Sequence, residues 1–153
     1  MGQEDVQSYF NKIGRNDLQI MEFPLSSATV ELAAIAVGAP PAQIAKTLTI
    51  HLKDKDIIVV MSGSHRISNQ KFKQHFHCKA KFMTIEEAMA TTGHPVGGVC
   101  PFGLKTPIEI YLDQSLGDFE YVYPAGGSAN TAVKVLTEEL PQLTGGTWID
   151  VCE

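Results

Sequence analysis

Three kinds of residue in this sequence could carry chemistry. Lys46 is the one charge in the run Ile44-Ala45-Lys46-Thr47-Leu48-Thr49-Ile50. Lysine is almost never fully buried without a partner, so its ammonium either reaches solvent or meets an anion such as phosphate at the wall of a cleft. Cys100 follows His94 by six residues, which pairs a thiol with a candidate base; a cysteine packed under a loop is the competing reading. The third feature is main chain. Gly93-His94-Pro95-Val96-Gly97-Gly98-Val99-Cys100-Pro101-Phe102-Gly103 contains no acidic residue, lysine or arginine. Its glycines let the backbone approach a ligand closely, and its prolines stiffen the path. With a second such run at Pro124-Ala125-Gly126-Gly127-Ser128, this points to a binding site built mainly from backbone. His75-Phe76-His77-Cys78 has a metal-like look, but no second ligand cluster accompanies it, which is too little for a metal site.

The elements that must position these residues are short. Val6, Phe10 and Ile13 recur at helical spacing, so Gln3–Lys12 reads as an amphipathic helix. Gln19–Phe23 reads as a strand. Ser26 and Ser27 are candidate caps for a helix over Thr29–Val37, which Gly38 ends. From Ile44 to Lys53 the pattern has period two: Ile44, Lys46, Leu48, Ile50 and Leu52 share the face expected to point into the core. Lys53-Asp54-Lys55-Asp56 turns the chain into an apolar strand Ile57–Met61, completing a hairpin. A helix over Ser68–Phe76 and a strand at Ala80–Met83 follow. Thr84 and Glu87 have capping-box spacing for a helix Ile85–Thr92, closed by Gly93. Strands are expected near Ile108–Leu112, Tyr121–Tyr123, Thr131–Val135 and Thr147–Val151, with a short helix near Glu138–Leu140. Short helices mixed with hairpin-joined strands predict an α+β fold with a mixed, mostly antiparallel sheet.

Composition narrows the class. The 153 residues suit one domain. No apolar run reaches membrane-spanning length and no leader pattern is visible, which predicts a cytoplasmic protein. Three widely spaced cysteines argue against a disulfide framework. A net charge of −5 argues against an extended nucleic-acid surface, while leaving room for a grip on one end of an RNA.

Together, Ala45-Lys46-Thr47-Leu48, the Gly93–Gly103 loop and Ala125-Gly126-Gly127 resemble the three signature segments of the YbaK/ProX family, free-standing relatives of the editing domain of bacterial prolyl-tRNA synthetase. The resemblance spans nearly the whole chain. It implies one editing domain over residues 1–153, with a partly closed sheet surrounded by short helices. It further implies a trans-editing hydrolase that cleaves the ester of a mischarged small amino acid, such as alanine or cysteine, on tRNA(Pro). The expected partners are the acceptor end of that tRNA and prolyl-tRNA synthetase; the protein is expected to be a monomer, with no cofactor and no metal.

Residue by residue, the resemblance implies that Lys46 holds the terminal adenosine or its phosphate. The loop residues Gly93, His94, Gly97, Gly98, Pro101, Phe102 and Gly103 would orient the ribose and the ester carbonyl, with Lys46, Gly97 and Gly98 as the catalytic set. Ser27, Thr29 and Val30 would line the amino-acid pocket, and Gly126, Gly127, Ser128 and Asn130 would form another wall. Some family members carry an aspartate or histidine shortly after the second glycine pair. Here that stretch is Ser128-Ala129-Asn130-Thr131-Ala132, so no side-chain base is expected from it and the amino-acid preference stays open. His65, Arg66, Lys71, Lys73, Lys79 and Lys81 are either an ordinary solvated face or the patch that meets the acceptor stem. The alternatives to a deacylase are a non-catalytic module that binds aminoacyl-tRNA or a synthetase, and a thiol-dependent hydrolase using Cys100.

Overall fold

A computed structural model describes residues 2–153. The helices start and stop where the sequence supplies caps. Thr84 Oγ1 accepts from the Glu87 amide at 3.1 Å and Glu87 Oε1 accepts from the Thr84 amide at 2.9 Å, a reciprocal capping box that opens α4 (Ile85–Thr92). Ser68 caps α3 (Asn69–Phe76) through the Lys71 amide, and α1 (Gln3–Lys12) buries Val6 and Phe10. The cap of α2 (Val30–Val37) is a correction to the sequence reading: Thr29, rather than Ser26 or Ser27, accepts from the Leu32 amide at 3.1 Å. Ser27 is committed elsewhere, its amide donating to the Ala129 carbonyl at 2.7 Å. A tertiary tie outcompetes the local cap. The last helix, α5, spans Leu140–Thr144.

Among the described residues nine strands complete the α+β fold: β1 (Ile20–Glu22), β2 (Ile44–His51), β3 (Asp56–Ser62), β4 (Lys81–Phe82), β5 (Glu109–Asp113), β6 (Tyr121–Pro124), β7 (Thr131–Val133), β8 (Val135–Leu136) and β9 (Thr147–Ile149). The main sheet runs β8-β6-β2-β3-β5-β9, with β4 also on β2, while β1 and β7 pair separately. Four pairings are antiparallel and three parallel.

The β2–β3 hairpin forms as expected, in register from Ala45↔Ser62 to His51↔Asp56. Every residue from Ile57 to Met61 is fully buried because both faces of the sheet are covered. Ile58 and Val60 join Val6, Phe10 and Phe102 in one core; Ile57, Val59 and Met61 join Phe72 and Val151 in a second. Each such side chain contributes about 1.5–3 kcal/mol by leaving water. The period-two reading of β2 therefore needs amending: Ala45 and Thr49, on the face opposite Ile44 and Ile50, are buried as well.

One irregularity in the sheet creates the cavity described next. On the side of β2 away from β3, β6 pairs only with Ile44 and Ala45, and β4 only with Ile50 and His51. Lys46 to Leu48 are left with a strand neighbour on one side alone.

Candidate active site

The gap beside β2 opens into a cavity of about 300 Å³. Its walls come from five places. The start of α2 contributes Ser27, Thr29, Val30 and Ala33, and β2 contributes Ile44 to Thr47 and Thr49. The approach to α4 gives Met83, Thr84 and Ile85, the glycine-rich loop gives Val96, Gly97 and Val99, and β6 with β7 gives Tyr123, Pro124, Ala125, Thr131 and Ala132. Among the described residues no aspartate, glutamate or histidine lines it. The one charged lining residue is Lys46.

Lys46 sits on the face that strand parity assigns it, opposite Met61. Its ammonium donates to the His65 carbonyl at 2.5 Å and to the Gly63 carbonyl at 3.4 Å. Partial burial pulls its pKa below the ordinary lysine value, with the Glu31 carboxylate among the groups that oppose the shift. The lysine thus has main-chain partners in the protein by itself, and braces the segment after β3.

The glycine-rich loop approaches the cavity through Gly97. Its φ is 82°, and a Cβ there would stand 2.6 Å from Ala28 Cβ. Only glycine allows this loop to lie against the start of α2. Gly98 is turned away: its amide donates to the Pro95 carbonyl at 3.0 Å, and its α-carbon packs on Gly127 and Ser128. It positions the loop, and its amide is already committed.

Five of the residues singled out from sequence therefore meet at the cavity, namely Ser27, Thr29, Val30, Lys46 and Gly97. The rest lie outside its walls, each for a visible reason. Gly93 is the left-handed cap of α4. His94 is fully buried, with Nε2 2.7 Å from the Phe102 carbonyl, and Phe102 fills the core with its ring 4.9 Å from that of Phe10. Pro101 is buried between Cys100 and Phe102. Gly103 lies on the Asp5–Val6 backbone, Gly127 on Gly2 and Gln3, and Gly126 against Ile20 and Thr131. Ser128 bonds Asn130 and Thr131 within its own turn, and Asn130 Nδ2 donates to the Phe23 carbonyl. These residues build the shell that holds Gly97 and β6 in place.

Sequence reasoning missed Thr47 and Thr49, which supply the polar part of the wall, and the apolar contributions of Met83, Ile85 and Tyr123. The parity of β2 held the signal for the threonines, since they share the face opposite Ile44. Their significance depends on the gap between β4 and β6, a long-range feature.

Cys100 is not placed to act as a nucleophile. It is fully buried, outside the cavity walls, and burial raises its thiol pKa to about 12. His94 Nε2 lies 3.7 Å from its sulfur but is engaged by the Phe102 carbonyl, and burial lowers the imidazole pKa. The His75–Cys78 segment takes a structural part instead, His75 packing edge-on to Phe76 and Tyr111. Among the described residues no three His, Cys, Asp or Glu side chains gather as a metal site, and no helix is long and apolar enough to cross a membrane.

The site is thus a cavity beside an α+β sheet, lined by one lysine and otherwise by uncharged groups. The chain belongs to the aminoacyl-tRNA editing domain family, whose family model matches residues 26–143. It is 41% identical to the uncharacterized protein YwhH of Bacillus subtilis (strain 168), over 100% of this chain and 98% of that one. It is 24% identical to EbsC of Enterococcus faecalis, provisionally named a Cys-tRNA(Pro)/Cys-tRNA(Cys) deacylase, over 80% of this chain and 76% of EbsC. Among solved structures, a protein provisionally described as a trans-editing enzyme for prolyl tRNA synthetase superposes with a TM-score of 0.91 at 32% identity. The match covers 99% of this chain and 96% of that one.

Proposed function

We propose that the protein is a trans-editing deacylase that hydrolyses the ester linking a small, mischarged amino acid, alanine or cysteine, to tRNA(Pro). The observation that carries this reading is the cavity itself: about 300 Å³, lined by apolar side chains, threonine and main chain, with no carboxylate or imidazole. An aminoacyl ester is an activated bond, so its hydrolysis needs a positioned water and donors for the developing oxyanion more than it needs a strong base. One such donor is worth about 3–4 kcal/mol. In this reading Gly97, held in the cavity wall against Ala28, supplies such a donor through its amide. With no side-chain base in the walls, the vicinal ribose hydroxyl of the substrate relays the proton from water to the departing ribose oxygen.

On the same reading Lys46, at the cavity wall, meets the ribose or its phosphate, and a phosphate oxygen would compete with the Gly63 and His65 carbonyls for its ammonium. Selection in this reading is by size, which is supported by the packing of Val30, Ala33 and Tyr123 with Ile44, since enlarging the pocket would cost core packing. A synthetase gains only about 1–3 kcal/mol from a methylene-scale difference, which is why a second, tighter pocket is useful. Support also comes from the editing-domain match and from the names of EbsC and the structural neighbour. Such a substrate places the protein in the cytoplasm, alongside prolyl-tRNA synthetase.

The test is to incubate the protein with alanyl-, cysteinyl- and prolyl-tRNA(Pro) and follow loss of the ester. Accelerated hydrolysis of the alanyl or cysteinyl ester, with the prolyl ester spared, is expected. No acceleration for any of them defeats the proposal.

A further inference from the structure

The open edge of β2 points one residue directly at the cavity. The Gly63 amide donates to the Ile44 carbonyl, and the Leu52 amide to the Lys55 carbonyl, both at 2.8 Å. Both bonds fall in the same β2–β3 register. In an antiparallel pair the residues that exchange hydrogen bonds alternate with residues whose N–H and C=O point outward. The even-numbered residues of β2 therefore bond to β3, and Ala45, Thr47, Thr49 and His51 present their main chain to the other side. The Met83 amide confirms this by donating to the Thr49 carbonyl at 3.0 Å. Thr47 falls in the middle of the gap, with no strand neighbour on that side. Its hydroxyl Oγ1 is also buried without a hydrogen-bond partner among the described residues.

A buried polar atom without a partner is costly, and here it occurs in the wall of a cavity. Several neighbouring polar groups are otherwise employed: the Thr49 carbonyl by Met83, the Ala129 and Thr131 carbonyls by Ser27, the Lys46 ammonium by Gly63 and His65. Thr47 offers two oxygens, its carbonyl and its Oγ1, in a cavity that contains no carboxylate. Paired neutral oxygens suit a cationic donor. An aminoacyl ester carries one such group, the α-ammonium, which must be satisfied once it leaves water.

We infer that Thr47 is the positioning residue for the α-ammonium group of the aminoacyl ester, which donates to the Thr47 carbonyl and Oγ1 across the open edge of β2. This rests on the deacylase reading and adds the group that the enzyme recognises. It also predicts which ligands are refused: an N-acylated amino acid has no cation to donate and brings extra bulk to the strand edge.

The test uses a non-hydrolysable ligand, alanine in amide linkage to 3′-amino-3′-deoxyadenosine, and its N-acetyl derivative, titrated calorimetrically into the intact protein, Thr47→Val and Thr47→Ser. The expected result is preferential binding of the free amine by the wild type. Thr47→Val should weaken it by about tenfold or more, the scale of one hydrogen bond to a charged group, and Thr47→Ser should restore it. Because Oγ1 has no partner among the described residues, Thr47→Val should leave the thermal midpoint unchanged or raised, a result a merely structural hydroxyl would not give. Equal binding of the amine and its acetyl derivative, undiminished binding by Thr47→Val, or a lowered midpoint in that variant overturns the inference while leaving the deacylase reading intact. Failure of the wild type to bind either ligand, together with no ester hydrolysis, overturns both.

Discussion

Gly98 lies against the main chain of Ser128: a Cβ at position 98 would stand 2.4 Å from the Ser128 amide nitrogen and 2.5 Å from the Gly127 carbonyl carbon. The two glycine-rich runs, separate in sequence, form one layer, and Gly97 is held in the cavity wall by that layer. Backbone cannot yield as a flexible side chain can. Gly98→Ala should therefore cost about 1–3 kcal/mol, the usual scale of overpacking, and lower deacylation through displacement of Gly97. Gly117→Ala, where a Cβ meets nothing within 4 Å, should change stability by less than about 0.5 kcal/mol. Denaturant midpoints of the two variants decide this; matching midpoints would show that the layer opens without cost.

Lys46→Met retains the aliphatic stem and removes the ammonium. Since that ammonium bonds the Gly63 and His65 carbonyls, the variant should lose about 1–2 kcal/mol of stability, the scale of hydrogen bonds to a charged donor in a half-buried setting. Ester hydrolysis should fall at least tenfold alongside, because the same group stands at the cavity wall. Denaturation and single-turnover deacylation on one preparation separate the two effects. Unchanged stability would mean that the carbonyl contacts contribute nothing in solution.

Local chemistry made much of the fold legible. The Thr84–Glu87 capping box, the Gly93 stop and the β2–β3 hairpin depend on residues within a few positions of one another, and they stand where the sequence puts them. The cap of α2 did not follow, because Ser27 is tied to Ala129, more than one hundred positions away. The site divides in the same way. Lys46 and Gly97 were recognisable from residue type in an unusual context, but Thr47 acquires its place only because β4 and β6 leave part of β2 uncovered. His94, Phe102 and Gly103 look like site residues from motif alone, yet the first two are buried beneath the loop and Gly103 lies on the backbone of α1. Motif density marks a segment as special and does not say which of its residues face the ligand.

Cys100 supplies a sharp chemical contrast. A thiol raised to about 12 by burial has almost no thiolate at neutral pH. Cys100→Ser should retain most of the deacylation rate. In the native protein, iodoacetamide at pH 8 should modify Cys78, which is partly exposed, and spare the buried Cys100 and Cys152 until denaturant is added. Mass spectrometry of the labelled peptides reads this directly. Rapid native labelling of Cys100, with loss of activity at the same rate, would return the thiol to the mechanism.

His51 should give the protein a stability component that weakens toward alkaline pH. Its Nδ1 lies 2.6 Å from Asp56 and its Nε2 2.8 Å from Glu87. The bond to Asp56, with that to Glu87 second, raises the imidazole pKa. A group whose folded-state pKa is raised stabilises fully below its unfolded value, about 6.5, and loses that contribution as pH climbs through the folded value. Lys81 is the charged residue that lies across from His51 in the β2–β4 register. Glu87 also closes the capping box of α4, and Thr84 and Ile85 at the start of that helix line the cavity. Deprotonation of His51 thus loosens a tie between the hairpin and the cavity wall. The thermal midpoint should decline as pH rises above about 6.5, and His51→Gln should flatten that slope while lowering the midpoint at pH 6. Parallel slopes for the two proteins would show that the decline comes from other groups.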